Sequence, residues 1–472
     1  MKFFKHGVAL VAMGLLVACS VPAPETGVST KFESIRDNDI QLRVFLQDMP
    51  KGGDLHNHLY GAVYPESWIR WAEEDGLCID PEALAIRHPG ADGCGGLQTA
   101  KAALANNQVL RNALIDRFSI RDFVPTSGWS GHDQFFRTFP LVTAQPHRFG
   151  DMVAETANLA GIQNVQYLEL LHTMELFETI LPMVIAIPMS GDVAADYETL
   201  MASPFGAALP EILARARRDI DAADARKDEL LGCKTDAPQP GCAVEIRYLH
   251  QPVRTLPASV VYAHTIFGWH LMAEDDRFVG TNLVAPEDDF IALRDYKLHM
   301  AQIDHLYKTL GERNVSLHAG ELWLGLVHPQ ELRFHINDAI KVGHAKRIGH
   351  GTDIVFETDY KNLLKYMAEN EIMVEVNLTS SEAILGVSGS EHPYDVYKQA
   401  GVPMAFSTDD EGVGRIDLTH EYMRAVQEHG LSYVELKTAS YNGLKYAFVD
   451  EVTKAELIKK LDTKFADFES KF

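Results

Sequence analysis

The chain reads as an α/β protein: a closed (β/α)8 TIM barrel with two insertions and an N-terminal signal and tether. Three observations predict this. Eight short apolar, β-rich runs recur, near residues 53–58, 165–170, 243–249, 278–283, 315–318, 347–350, 372–377 and 403–407. Amphipathic stretches of helical period lie between them, among them 151–160, 289–310, 329–342 and 360–370, and strands alternating with helices build parallel β/α units. Four polar motifs follow or close runs one, five, six and eight: Asp54-Leu55-His56-Asn57-His58, His318-Ala319-Gly320-Glu321, Ile348-Gly349-His350-Gly351 and Ser407-Thr408-Asp409-Asp410. All four fall at C-terminal strand ends, where such barrels carry their chemistry.

Taken in order, residues 1–18 read as a targeting segment. Lys2 and Lys5 precede an apolar stretch, Val8 to Leu16, too short to span a bilayer comfortably. Leu16-Val17-Ala18-Cys19 then resembles a bacterial lipoprotein cleavage box, which makes Cys19 the lipidated first residue of the mature chain. An ordinary cleaved secretory signal is the alternative, and both place the protein outside the cytoplasm. Residues 19–45 follow as lipidated cysteine and flexible tether, and 46–472 as one barrel domain.

Two stretches exceed what a plain barrel needs, about 74–135 and 175–242. Long loops in a compact domain are usually lids or small subdomains, so both are expected over the C-terminal face or its rim. Residues 209–231, charged and helical in character, are expected to form a solvated helix. Each insertion holds a cysteine pair, Cys78/Cys94 and Cys233/Cys242, which in an oxidising compartment reads as a local disulfide. Four cysteines allow three pairings, and the absence of any C-x-x-C spacing disfavours a zinc-thiolate site.

The formal net charge is −23, with 66 acidic against 43 basic residues, and loss of the leader removes two lysines. Such a surface argues against nucleic acid or an anionic membrane as electrostatic partner, and favours a neutral small molecule. Membrane contact is then expected only through the anchor at Cys19. An apolar fraction of 46% is ample for a packed core.

The motifs carry the chemistry. Residues two apart on a strand point to one side, so His56 and His58 can grip one ion. Three histidines (His56, His58, His318) and Asp409 form a borderline-hard N/O set that suits Zn²⁺, one per chain. Glu321, His350 and Asp410, left unligated beside it, make the site hydrolytic rather than structural. Each residue also has a plain alternative. With 20 histidines in the chain an H-x-H pair can arise by chance. His318 suits a core or capping position, Glu321 the first turn of a helix, His350 a tight turn, and Asp409-Asp410 an N-cap. Their common position at one barrel end argues against five such coincidences. His172, His270, His328, His335 and His344 lack partners of suitable spacing and read as surface or satisfied residues.

At these motifs the chain resembles the adenosine deaminase family. It is most similar to the secreted, growth-factor-type subgroup, which shares the phrase from Met49-Pro50-Lys51-Gly52-Gly53 through His58. The likeness runs from about Leu46 to Phe448, weaker across the insertions. It implies that His56, His58, His318 and Asp409 bind the metal and that Glu321 works at purine N1. It further implies that His350 stands beside the water the metal activates and that Asp410 accepts a hydrogen bond from the base. Phe278-Val279-Gly280-Thr281-Asn282-Leu283 looks like the family's fourth strand, which puts the backbone N–H of Gly280 against the purine. His58 is expected to touch substrate as well as metal. The resemblance thus implies zinc-dependent deamination of adenosine, and of 2′-deoxyadenosine, with Glu321, His350 and Asp409 catalytic and a purine nucleoside as partner. The cytidine-deaminase type of site needs P-C-x-x-C, which is absent. One departure concerns the ribose: where the family reads H-x-H-L-D-G, with the Asp at the 5′-hydroxyl, this chain has Tyr60, bulkier and neutral. Adenine, a 5′-modified nucleoside or another amine is the rival substrate, and a non-catalytic nucleoside-binding protein the rival class. Oligomeric state is not legible.

Overall fold

The computed structural model describes residues 24–142 and 146–472. The leader and Cys19 lie outside the described residues. Eight parallel strands form the barrel: β1 Lys51–His58, β2 Val165–His172, β3 Glu245–His250, β4 Phe278–Thr281, β5 Ser316–Ala319, β6 Arg347–His350, β7 Met373–Val376 and β8 Met404–Phe406. They pair in sequence order as two four-stranded halves, β1–β4 and β5–β8. Two contacts close the ring. Thr281 N–H donates to the Asn314 carbonyl (3.1 Å), joining β4 to β5. At the other seam His58 N–H donates to the Asp409 carbonyl (2.7 Å) and Asp409 N–H to that of His56 (2.8 Å). The eight predicted strands are therefore the eight observed ones, and the seam between first and last is made by two of the motifs themselves.

The helices that bear on the barrel and its mouth are, in chain order, α1 Pro24–Ile35, α2 Asp39–Asp48, α3 Gly131–Phe136, α4 Phe149–Ile162, α5 Pro204–Leu230, α6 Ala258–Glu274, α7 Phe290–Thr309, α8 His335–Lys341, α9 Tyr360–Glu369, α10 Tyr394–Ala400, α11 Leu418–His429, α12 Tyr433–Lys445 and α13 Glu451–Glu469, with Pro65–Glu74, Gln108–Arg117, Val193–Met201 and shorter helices and turns besides. Among the described residues no helix is long and apolar enough to cross a membrane.

Three expectations are corrected. The supposed tether is helical from Pro24 onward. Val28 and Phe32 of α1 are fully buried, and the Phe32 ring meets Phe45 of α2 (5.6 Å between centroids), which meets Phe468 of α13 (5.2 Å). Its few apolar residues fall on one helical face, a pattern the prolines and threonines around it obscure. Residues 209–231 are not a merely solvated helix. They belong to α5, which buries Phe205, Leu209, Ile212, Leu213, Ala216, Ile220 and Ala223 and is the crossover helix from β2 to β3. The helix expected over 329–342 is broken: a 3-10 turn, Glu331–Arg333, precedes the shorter α8.

The first insertion carries a small antiparallel sheet, Cys78–Asp80, Ala85–Arg87 and Gln98–Thr99, with Cys78 bonded to Cys94. Cys233 is bonded to Cys242 between α5 and β3. Further along the first insertion, α3 reaches across the barrel mouth. His132 Nε2 meets Asp288 Oδ1 of the loop after β4 at 2.8 Å. Phe135 packs with Ile384 and Val413, from the loops after β7 and β8, and Ile120 N–H donates to the Val413 carbonyl (3.0 Å). The first insertion therefore reaches over the mouth, as expected.

Burial also sets how the fold responds to acid. His264 and His299 lie in the packed layer around the barrel, and burial drags each imidazole from 6.5 to about 4; nearby Asp295, Arg254 and Arg294 act on His299 more weakly. Unfolding returns both to ordinary values, so the unfolded chain binds protons the native one does not. Their burial therefore costs nothing above pH 6.5 and destabilises progressively as pH falls toward 4, by up to about 3 kcal/mol each. Denaturant unfolding at pH 7 and pH 5 should give a lower midpoint at pH 5, and His264→Gln should flatten that difference.

Candidate metal centre and active site

The C-terminal ends of β1, β5 and β8 bring four side chains to one point. His56 Nε2 and His58 Nε2 lie 3.0 and 3.1 Å from His318 Nε2, and 3.4 and 3.2 Å from Asp409 Oδ1. All four side chains are buried, and their potential ligand atoms lie within 4.8 Å of one another. Each imidazole is fixed from behind through Nδ1–H, which donates to an oxygen: His56 to Glu375 Oε2 (2.7 Å), His58 to Gln251 Oε1 (2.8 Å) and His318 to Asn282 Oδ1 (2.9 Å). With Nδ1 protonated in all three rings, three Nε2 lone pairs and a carboxylate oxygen converge, an arrangement that repels itself without a cation at the centre. Orientation of metal histidines by such acceptors is the usual device of a metal centre, and the donor set fits a borderline divalent ion of the zinc type. Without a metal, burial opposes charge on His56, but its bonds to Asp409 and Glu375 overcome this and hold its pKa near 10. The pocket recruits positive charge.

Behind His56 runs a chain of buried charges. Glu375 Oε1 accepts from Ser316 Oγ (2.7 Å) and from Arg347 Nε (2.6 Å). Arg347 also donates to Glu169 Oε2 (2.5 Å) and to the Tyr446 carbonyl (2.9 Å), and its guanidinium lies 3.7 Å from the centroid of the Phe448 ring. Gly349 makes room for this arrangement, since a Cβ there would fall 2.6 Å from His56 Cε1.

On the open side of the centre stand the remaining groups. Glu321 Oε1 is 3.7 Å from His350 Nε2. Burial, then the charge of Asp409, pushes the Glu321 carboxyl well above the usual carboxylate range. Burial holds His350 neutral, with a pKa of about 3. Asn377 Nδ2 donates to its Nδ1 at 3.4 Å, which places the ring proton on Nε2, an atom without a protein partner among the described residues. Burial raises Asp409 as well, but the bonds from His56 and His58 outweigh it and keep Asp409 ionised. Asp410 is pushed up by burial and then by Asp409; a cation beside Asp409 removes that second cause. Gly61 lies against Asp410, where a Cβ would sit 1.5 Å from Oδ1. Two of these residues are strained: His350 (φ +67°) and Asp409 (φ +61°) hold left-handed backbones without being glycine, as functional positions often do.

His56, His58, His318, Glu321, His350, Asp409 and Asp410 thus form one cluster. Tyr60 stands at its edge, half-buried in the turn after β1, its ring stacked between Trp68 (5.6 Å) and His172 (6.2 Å). Gly280 sits inside β4, one residue before its C-terminal end, where a Cβ would meet Leu249, Phe448 and the Asn314 carbonyl. The backbone at the mouth on this loop is Ala285 (φ +88°), which sequence reading missed because a left-handed alanine carries no signal. Glu375, Gln251 and Asn282 were missed as well, as were His172, which ends β2, and His335, which is fully buried.

An eight-stranded parallel barrel with three imidazoles and a carboxylate converging at its C-terminal end defines a barrel protein with a buried group able to hold a metal ion. The sequence model described as adenosine deaminase matches residues 210–464, more than half of the chain, and the chain belongs to the adenosine deaminase family. It is 35% identical to the adenosine deaminase of Klebsiella pneumoniae over 149 residues, 31% of this chain and 41% of that one. The chain spans about half the length, or less, of the curated relatives it matches. Among solved structures, the adenine deaminase of Arthrobacter aurescens shares the fold with a TM-score of 0.55 at 16% identity, over 88% of this chain and 98% of that one. The N6-methyl-AMP deaminase of Arabidopsis thaliana does so with 0.58 at 18%, over 89% and 98%.

The bond from Glu375 to His56 is testable apart from any activity. Glu375→Gln keeps the shape but removes the charge that orients and polarises the imidazole, and should weaken zinc binding by about 10- to 100-fold. Competition with a chromophoric chelator would measure this directly, with Tm as control for folding.

Proposed function

We propose that this protein is a zinc-dependent aminohydrolase that converts adenosine, and 2′-deoxyadenosine, to the 6-oxo nucleoside and ammonia. The observation that carries the reading is the buried Glu321 carboxyl set beside His350 and a cluster of three imidazoles and a carboxylate able to hold one ion. Zinc would be held by His56, His58, His318 and Asp409, and when bound it supplies the Lewis acidity that makes water nucleophilic near neutral pH. The chain's residues do the rest. As oxygen adds to C6, electron density moves to N1, and Glu321 donates its proton there. His350 donates from Nε2 to the incoming oxygen, and the ionised Asp409 accepts from it, so its lone pair is aimed at C6. Asp410, with room made by Gly61, meets the ring nitrogen on the other edge. Collapse of the adduct carries the proton of the new hydroxyl, through its acceptor Asp409, to the 6-amino group, which leaves as ammonia as the C6 carbonyl forms.

Membership of the family and the donor set support deamination. Family membership alone does not select the substrate, since proteins sharing the fold act on adenine and on N6-methyl-AMP. One observation favours a second reading. Tyr60, neutral and stacked in an aromatic column, stands where the family places an acid for the 5′-hydroxyl, which fits a 5′-modified nucleoside. The leader and Cys19 support export with a lipid anchor, and the two cysteine pairs accord with an oxidising compartment; a site of action in purine salvage outside the cytoplasm follows.

Ultraviolet absorbance of the purified protein with adenosine, with and without chelator, tests the reading. A chelator-sensitive shift to the inosine spectrum is expected, and no shift in zinc-replete protein would overturn it. Because Glu321 acts as an acid, kcat should fall on the alkaline side as it ionises. Glu321→Gln should retain zinc and lose on the order of 10²-fold or more in kcat, whereas Asp409→Ala should lose zinc too. If Tyr60 relaxes the 5′ requirement, 5′-deoxyadenosine should match adenosine within about tenfold in kcat/KM, a difference of about 1.4 kcal/mol.

A further inference from the structure

Glu321 is useful only if its carboxyl is aimed at the reacting ring, and the turn that carries it has no regular structure to hold it. His318 and Ala319 end β5, Gly320 follows with φ +76°, and the chain then leaves the barrel. Backbone N–H groups in such a turn must find acceptors. Here both find the same one. Gly320 N–H donates to Glu287 Oε1 (3.2 Å) and Glu321 N–H to Glu287 Oε2 (2.9 Å). Glu287 comes from the loop after β4 and is buried, 1% exposed. Its own position is fixed: Oε1 also accepts from His335 Nδ1 at 2.5 Å. The His335 ring stacks on Tyr296 at 3.8 Å, and the Tyr296 hydroxyl donates to the His335 carbonyl (2.6 Å). A second brace crosses the same gap. Arg254, fully buried, donates from Nε to the Ala285 carbonyl (2.7 Å) and from Nη1 to that of His318 (3.2 Å). On the far side Asp353 N–H donates to the Gly320 carbonyl (3.1 Å).

We infer that Glu287 is the positioning residue of the proposed acid: its carboxylate grips the two consecutive N–H groups of Gly320 and Glu321, and so fixes the direction in which the Glu321 side chain enters the site. The inference rests on the reading of Glu321 as the acid in deamination. A turn clamp of a merely structural kind would serve binding, metal and folding alike. A positioning residue serves the chemical step alone, because Glu321 makes its contribution only as charge develops on the ring.

Glu287→Gln keeps the volume and one acceptor but sets an NH₂ against one of the two N–H groups. Displacement of a catalytic group by about 1 Å can cost on the order of 10²-fold in rate. With adenosine, Glu287→Gln should lose about tenfold or more in kcat while KM stays within about threefold and zinc content is full. The decisive arm is the double variant. Placed on Glu321→Gln, the same Glu287→Gln change should cost less than about twofold, since there is no longer an acid to aim. Equal losses in both backgrounds, or a loss shared between kcat, KM and zinc content, would overturn the inference. Glu287→Asp, which keeps the charge but draws the carboxylate back by one methylene, repeats the test if the glutamine variant folds poorly.

A crystal structure of zinc-loaded Glu287→Gln gives a readout that needs no turnover. The Glu321 carboxyl should leave its place beside His350 Nε2 while His56, His58, His318 and Asp409 stay where they are, and an unmoved Glu321 would falsify the inference. Failure of the wild-type protein to deaminate adenosine would instead count against the substrate, and the crystallographic arm would still decide the role of Glu287.

Discussion

Arg347 lies at the centre of the barrel, fully buried, and is shared between Glu169 on β2 and Glu375 on β7. Three charges so far from water would be ruinous singly, and removal of one member of such a group leaves its partners uncompensated. The geometry meets the requirement. The planar guanidinium uses separate nitrogens for each carboxylate and for a backbone carbonyl, and rests on an aromatic face. Two carboxylates against one arginine leave surplus negative charge on this network, and Glu375 delivers it to His56. The same residue that ties strands across the barrel interior thus helps set the orientation and basicity of a candidate metal ligand. Stability and chemistry are not separable at this point of the molecule.

Above that layer the site divides its labour by environment rather than by residue type. Glu321 and Asp409 are both buried carboxyls, but the imidazoles of His56 and His58 beside Asp409 hold it well below the usual carboxylate range, while burial and the charge of Asp409 push Glu321 well above that range. Two like groups pushed apart in this way become an acid and a base in one pocket. His350 completes the set as a neutral imidazole because burial denies it a second proton.

The sequence disclosed the strands because each is a short apolar run, and the barrel because eight of them alternate with helices. It disclosed the motif residues because polar side chains at the ends of apolar runs have few plain explanations. What it hid has physical reasons. Gln251 and Asn282 act through hydrogen bonds to residues distant in the chain, and no local pattern marks a donor's partner. Glu375 did leave a trace, a carboxylate inside the run Met373-Val374-Glu375-Val376, where burial on both faces would otherwise exclude charge. Gly280 shows what a strand glycine signals, close approach: on its Cβ side the close neighbours are Leu249 and Phe448. His335 looks ordinary because its role is to hold another side chain, and α1 reads as tether because the polar residues, threonines and proline around them mask Val28, Phe32 and Ile35, which bind it to the fold.

The two ends of the described chain meet on the side of the barrel away from the mouth. α2 runs directly into the N-terminal end of β1, and the Phe472 ring lies 5.5 Å from that of Phe45. The rings of Phe45, Phe468 and Phe472 therefore tie the first helices to the last one at the end of the barrel opposite the mouth, so the N-terminal helices and α13 brace one another without touching the chemistry above.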